Sequence, residues 1–331
     1  MSPQGIKSHR SLYAKQRKII DLRIKKVFAE REPRSLYKPS AYFLESGGKR
    51  LRPLLVLLSA KAVGSKFSKA YNAAVAVELL HNFTLVHDDI MDNADRRRGR
   101  STLHKKYGVN TAILAGDSLL SIAYEYLLKD CNGNTKNVLA SFTRGLIEIC
   151  EGQSLDKEFE LRNNVSLKEY TEMIVKKTAA MAEMCCSIGA QIGGGTAKEI
   201  RALEIYGRNI GIAFQIQDDL LDIIADEAEF GKTVGGDLIE GKKTFLFIKA
   251  FERAKSDDRK VLFEMILNKG IKKHQVEQFK DIYTRLGILK EAKKSIFHYS
   301  EIAVNSLNKL SKNEDKEIFR WIAYSLIKRI K

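Results

Sequence analysis

From Leu12 to Phe28 the apolar residues Leu12, Ile19, Ile20, Leu22, Ile24, Val27 and Phe28 recur at spacings that share one helical face, with lysine and arginine between them. That pattern predicts an amphipathic entry helix. A break from Glu32 to Pro39 and a short apolar turn, Tyr42-Phe43-Leu44, lead into a glycine-bearing loop, Ser46 to Pro53, with Pro53 placed to open the next helix. Residues 53–63 and 69–93 read as strongly apolar helical segments parted at Gly64-Ser65. Further helices are expected at about 109–129, 136–159, 166–192, 198–226 and 242–255, with shorter ones to the end. Nothing beyond Pro53 carries proline, the strongest helix breaker. Alternating strand patterns bounded by turn signals are missing. The expected fold class is all-α, and with no linker stretch or repeat to divide it, 1–331 is expected to form a single domain.

Composition excludes whole classes. A chain of 331 residues, 44% apolar and 30% charged, can bury a large core behind a hydrated surface, so collagen, a disordered tail and a disulfide-stapled miniprotein are ruled out. The net charge of +16 sits at the ends: residues 1–40 hold 11 Lys/Arg against 3 Asp/Glu, residues 249–331 hold 20 against 11, and the middle holds 26 against 27. Basic ends suit an anionic membrane surface or nucleic acid. Here the charges are interspersed with apolar residues at helical spacing, which favours a solvated helix face, and no nucleic-acid partner is expected. No apolar run approaches the roughly 18 residues of a membrane span, and the start MSPQGIKSHR lacks the apolar segment of a secretory signal. A cytoplasmic protein without a transmembrane segment is the expectation. Cys131, Cys150, Cys185 and Cys186 form no CxxC pair and have no histidine cluster beside them, so they read as buried small hydrophobes.

The chemistry concentrates in two acidic clusters. In His87-Asp88-Asp89-Ile90-Met91-Asp92 a helix places Asp88 and Asp92 one turn apart on one face. Such like charges repel unless a cation lies between them, and carboxylate oxygens are the hard ligands Mg²⁺ takes together with phosphate oxygens. Gln215-Ile216-Gln217-Asp218-Asp219-Leu220-Leu221-Asp222 repeats the pattern after the apolar stretch Ile210 to Phe214. Either cluster alone has the look of a solvated acidic helix end. Two DDxxD patterns at the polar ends of otherwise buried helices read instead as opposing walls of a metal-lined cavity for a polyanion, and a diphosphate fits. Cations accompany them: Arg96-Arg97-Arg98-Gly99, Lys49 and Arg52 in the glycine loop, Lys177-Thr178, Lys232 and Lys242-Lys243. Guanidinium groups grip phosphate bidentately and lysines act as mobile point charges.

These residues fall into ordered motifs: GGKRLRP at 47–53, HDDIMDNADRRRG at 87–99, KT at 177–178, FQIQDDLLD at 214–222 and GKTVGGDLIEGKKT at 231–244. With them the chain resembles the trans-isoprenyl diphosphate synthases, or polyprenyl synthetases, and in motif pattern the short-chain geranylgeranyl diphosphate synthases. The resemblance implies a bundle of long antiparallel helices around a deep central cavity, in a homodimer. It implies that Asp88, Asp92 and Asp218 hold about three Mg²⁺ ions on the diphosphate of an allylic substrate, dimethylallyl, geranyl or farnesyl, with Asp89, Asp219 and Asp222 in supporting places. Arg97, Lys177, Lys232 and Lys242 would contact the same diphosphate. Isopentenyl diphosphate would lie on Lys49, Arg52, His81 and Arg98, and Thr178 and Gln215 would present neutral oxygens to carbocation charge. Arg96 adds a third arginine to the family's RRG element, so the roles of Arg97 and Arg98 are assigned by register alone, and Lys242 and Lys243 are open to exchange.

The implied reaction is a 1'-4 head-to-tail condensation. The allylic C–O bond ionises, the alkene of isopentenyl diphosphate attacks the cation, and a proton leaves to give an allylic diphosphate five carbons longer. Water quenches such a cation, so the cavity must be sealed; the Gly-rich, charged segment Asp226 to Gly241 reads as a lid or as an ordinary surface loop. Phe83 and Thr84 lie five and four residues before Asp88, about 7 Å and about 6 Å along the helix axis, where an aromatic ring can act as a floor to the growing chain. A single aromatic with no insertion in the aspartate motif resembles the C20 enzymes, with C15 next; plain core packing of Phe83 is the alternative. A class I terpene cyclase and a regulatory subunit of a heteromeric synthase are the rival readings. The repeated DDxxD and the Lys49, Arg52 and His81 set for a second diphosphate speak against both.

Overall fold

The computed structural model describes residues 3–131, 133–225, 234–311 and 315–328, and they form an all-α protein. The described residues group into two compact units, one drawn from 1–141, 185–201 and 310–318, the other from 142–184, 202–309 and 319–331.

In the first unit the entry helix α1 (Pro3–Lys26) buries Ile20 and Ile24 and exposes its lysines, whereas Leu22, assigned by its spacing to the same face, is exposed. α2 (Arg34–Leu44) corrects the expected break and turn: the helix runs through Pro39 to Leu44. An internal proline costs about 3 kcal/mol through its missing N–H. Burial of Pro39, Phe43 and Leu44 opposes that cost, and the Ser40 hydroxyl donates to the Leu36 carbonyl at 3.0 Å. After the glycine loop come α3 (Leu51–Ala62) and α4 (Tyr71–Met91). A two-residue antiparallel ladder, Arg96–Arg97 with Arg100–Ser101, turns the chain into α5 (Leu103–Tyr107) and α6 (Val109–Leu128). α4 lies mainly on α6, and small buried residues on both, Ala73, Ala76, Ala112, Ala115, Gly116 and Ala123, bring the two backbones close.

Arg50, the residue before α3, sits in the left-handed region (φ 52°), which costs a non-glycine residue of order 1 kcal/mol. Its guanidinium, 2% exposed, holds it there through Asp21 at 2.9 Å, Glu78 at 2.5 Å and the Leu44 carbonyl at 3.1 Å. Removing one partner of a buried pair leaves the other charge without compensation. Arg50→Met is therefore expected to cost about 3 kcal/mol in urea unfolding, and a loss below about 1 kcal/mol would show that Glu78 does not depend on it.

The second unit takes α7 (Thr135–Leu161) from Phe142 onward and then α8 (Leu167–Ile174), opened by Ser166 and Glu169 bonding each other's backbone N–H. The helix expected to run unbroken over 166–192 is interrupted: residues Val175–Ala179 form a π-turn before α9 (Ala180–Ile192). Glycines flank it on both sides. A Cβ at Gly152 of α7 would lie 2.2 Å from the Lys177 nitrogen, and one at Gly211 would lie 2.4 Å from the Ala179 Cα. Gly211 belongs to α10 (Ala197–Ile224), which ends in the second acidic cluster. Beyond it, Thr244 caps a helix over Phe245–Arg253, and Phe245, Phe247, Phe279 and Tyr283 join Ile212, Ile216 and Leu220 in one apolar core. Of the cysteines, none in a disulfide, Cys131, Cys185 and Cys186 are buried as expected; Cys150 departs from that reading and is exposed. No described helix is long and apolar enough to cross a membrane.

Candidate active site

In the first unit the polar end of α4 carries Asp88, half-buried, and Asp92, exposed at the helix C-cap. Asp89 points elsewhere. It is 1% exposed and accepts a 2.6 Å hydrogen bond from Arg97 Nε; burial pushes its carboxyl up and Arg97 opposes the shift. Arg98 turns the other way, donating to the Gly47 carbonyl and, at 3.3 Å, to the Ser46 hydroxyl. Arg97 thus joins the aspartate motif and Arg98 the glycine loop. Half-buried Arg52 and His81 lie in the same electrostatic neighbourhood: burial lowers His81 well below its usual range, and Arg52, Arg98, Arg97 and Arg50 add to the effect. His81 is therefore a neutral imidazole at physiological pH, able to donate one N–H. Burial also lowers Arg52, against the pull of Glu78. Lys49 is exposed, its carbonyl accepting from Tyr13. Phe83 is buried, and the Thr84 hydroxyl donates to the His81 carbonyl at 2.8 Å.

In the second unit a cavity of about 210 Å³ gathers Lys177, Thr178, Gln215, Asp218, Asp219, Lys242 and Lys243, residues from three separate motifs. Lys177 Nζ donates to Asp156 Oδ2 at 2.5 Å, and the Thr178 hydroxyl donates to Gln215 Oε1 at 2.9 Å. Gln215 Nε2 in turn donates to Asp219 Oδ1 at 3.0 Å. That carboxylate also accepts from the Tyr170 hydroxyl at 2.5 Å and the Phe245 backbone N–H at 3.1 Å. The central aspartate is spent on holding the site together, as Asp89 is in the first cluster. Asp222 accepts from the Asp237 backbone N–H at 3.1 Å. Lys242 reaches Glu240 at 2.6 Å and Asp237 at 3.7 Å; burial alone lowers it, but Asp237 and Glu240 outweigh that and raise it. Lys243 donates to the Phe159 and Glu160 carbonyls, and burial lowers it. Lys232 and residues 226–233 of the expected lid lie outside the described residues.

Asp156, Tyr170 and Asp237 of this cavity were given no role from the sequence. Asp156 and Tyr170 stand alone on their helices with no motif around them, whereas Asp237 lay inside GGDLIEGKK and was visible there.

The residues fit a hard divalent cation by donor chemistry. Each cluster offers carboxylate oxygens, and among the described residues no three His, Cys, Asp or Glu side chains converge into a closed cage. Mg²⁺ takes one or two carboxylates, with the remaining positions left to phosphate and water. Asp219 and Asp222 are both raised to about 7, first by burial and then by Asp237. A carboxyl that holds its proton more tightly folded than unfolded stabilises the fold at acid pH, and that stability is lost as pH rises from the ordinary range near 4 through about 7. Melting of the metal-free protein is expected to fall by about 3–5 °C from pH 5 to pH 8, with Mg²⁺ restoring more at pH 8. An equal response to Mg²⁺ at both pH values would detach this cluster from the metal.

The polyprenyl synthetase family model matches residues 33–285. The chain belongs to the polyprenyl synthetase family. It is accordingly an isoprenyl diphosphate synthase, a trans-prenyltransferase. A short chain isoprenyl diphosphate synthase of Methanothermobacter thermautotrophicus is 42% identical over 318 residues, 95% of this chain and 97% of that protein. A geranylgeranyl diphosphate synthase of Sulfolobus acidocaldarius is 42% identical over 302 residues, 89% and 91%. Among solved structures, the geranylgeranyl pyrophosphate synthetase of Pyrococcus horikoshii matches with a TM-score of 0.89 at 38% identity, over 98% of this chain and 99% of that one.

Proposed function

We propose that this synthase condenses isopentenyl diphosphate with an allylic diphosphate, that its main product is C20 geranylgeranyl diphosphate, and that it works as a cytoplasmic homodimer. The observation that carries the reading is the parting of adjacent arginines, Arg97 to the aspartate motif and Arg98 to the glycine loop. Two separately placed guanidinium groups suit two diphosphates, which a condensation needs and a terpene cyclase does not.

Asp88, Asp92 and Asp218, with Asp222 beside the last, would hold Mg²⁺, which when bound neutralises charge on the departing diphosphate. Arg97, Lys177 and Lys242 grip the allylic diphosphate, and their fixed charges favour the state in which the C–O bond has broken. Lys49, Arg52 and Arg98 bind the second diphosphate, and neutral His81 donates its N–H without adding to the crowding of cations. The Thr178 and Gln215 oxygens stabilise the carbocation, which the alkene of isopentenyl diphosphate attacks; a proton then leaves with the released diphosphate.

Product length rests on Phe83 as the floor, with the smaller Thr84 above it and no insertion in DDIMD. Two relatives, each 42% identical, are named geranylgeranyl diphosphate synthases, which supports the C20 length. The test is incubation with isopentenyl diphosphate, each allylic primer and Mg²⁺, followed by sizing of the dephosphorylated alcohols. A C20 alcohol is expected; a C15 product overturns the length, and release of a hydrocarbon overturns the condensation.

A further inference from the structure

On α4, Phe83 and His87 stand one turn apart with their rings in tilted contact, centroids 4.6 Å apart and planes at 60°. The His87 ring is seated in turn on α6. A Cβ placed on Gly116 would lie 2.4 Å from His87 Nε2 and 2.7 Å from its Cδ2, separations that carbon cannot keep. Neither helix has room to retreat, because Ala112, Ala115 and Leu119 on α6 and Leu79, Leu80 and Phe83 on α4 are all buried. His87 Nε2 also stands 3.8 Å from Oδ1 of Asp117, the next residue of α6.

A floor beneath a growing prenyl chain has to resist a push. Burying each further five-carbon unit is favourable by more than turning one aromatic ring off its preferred rotamer costs, so an unbraced phenyl group yields. We infer that Gly116 and His87 are specificity-determining residues: Gly116 gives the imidazole its seat, and the imidazole braces Phe83 at the angle that sets product length. Both act by positioning, and the inference rests on Phe83 being the floor.

The test sizes the alcohols made by the full-length enzyme from isopentenyl diphosphate, a short allylic primer and Mg²⁺. Gly116→Ala and His87→Ala are each expected to raise at least tenfold the share of product one unit longer than the parent's. Adding Gly116→Ala to His87→Ala is expected to change nothing more, since the ring it displaces is gone. Chain-length distribution is independent of how much of a variant is active, so a partly unstable protein still reports. If Gly116→Ala does not fold, His87→Ala carries the test alone. Phe83→Ala separates the two readings. If it lengthens the product while Gly116→Ala and His87→Ala keep the parental distribution, the brace is overturned and the floor stands. If Phe83→Ala itself leaves the distribution unchanged, the floor fails and the brace with it.

Discussion

Asp88→Ala is expected to lower kcat by about 10³-fold or more while leaving the helical circular dichroism and the melting temperature of the metal-free protein unchanged. The neighbouring carboxylate cannot take over, because Asp89 is buried and fixed on Arg97 at 2.6 Å. Asp92, exposed at the C-cap, retains one carboxylate, so Mg²⁺ at high concentration should recover a part of the loss. The fold does not suffer, since the substitution removes one of several like charges at the negative end of α4. Asp95→Ala is the matched control: that side chain is 82% exposed and pairs with Lys105 at 3.0 Å, and its loss should leave turnover within about twofold. Steady-state kinetics across Mg²⁺ concentration make the comparison. Turnover by Asp88→Ala within tenfold of the parent removes the metal role from this cluster.

The letters DDxxD announce chemistry but do not say which aspartate performs it. In both clusters the central residue, Asp89 or Asp219, is the buried one that accepts hydrogen bonds from other side chains, and the flanking Asp88, Asp92, Asp218 and Asp222 are more exposed. Helical periodicity contains that division in principle, since the residue after Asp88 is turned about 100° around the axis toward the core. The helices themselves were legible because apolar spacing and the scarcity of proline act locally. Pro39 was misread for the same reason: as a local signal it breaks helices, and the packing of Phe43 and Leu44 that overrides it is tertiary. The π-turn at 175–179 leaves no mark in apolar spacing, for one added residue in a turn resembles ordinary scatter. The two residues packed closest against it, Gly152 and Gly211, lie far off in sequence. Asp156 and Tyr170 were silent because each acts by meeting a partner 21 or 49 residues away.

That π-turn makes the two lysines before Thr178 unequal, and Lys177→Ala is expected to reduce kcat/KM for the allylic substrate by about 10²–10³-fold while Lys176→Ala changes it less than about twofold. Lys176 pairs with Glu151 at 2.8 Å and Glu172 at 3.9 Å, a surface arrangement worth little. Lys177, one residue on, lines the cavity with Asp218 and Lys242, held by Asp156 at 2.5 Å. The wider turn re-aims the chain at this point, and the close contact of its backbone with Gly152 fixes the direction. Removing the ammonium leaves the Asp156 carboxylate facing the cavity and adds repulsion toward a diphosphate. Asp156→Asn should therefore be milder than Lys177→Ala, and the double variant Lys177→Ala with Asp156→Asn should regain part of the loss. A charge that merely stabilises the fold would show itself in melting temperature and in both substrates' KM alike. One that grips the allylic diphosphate acts on the allylic kcat/KM and spares the KM of isopentenyl diphosphate. Equal losses for Lys176→Ala and Lys177→Ala would mean that the π-turn does not select between them.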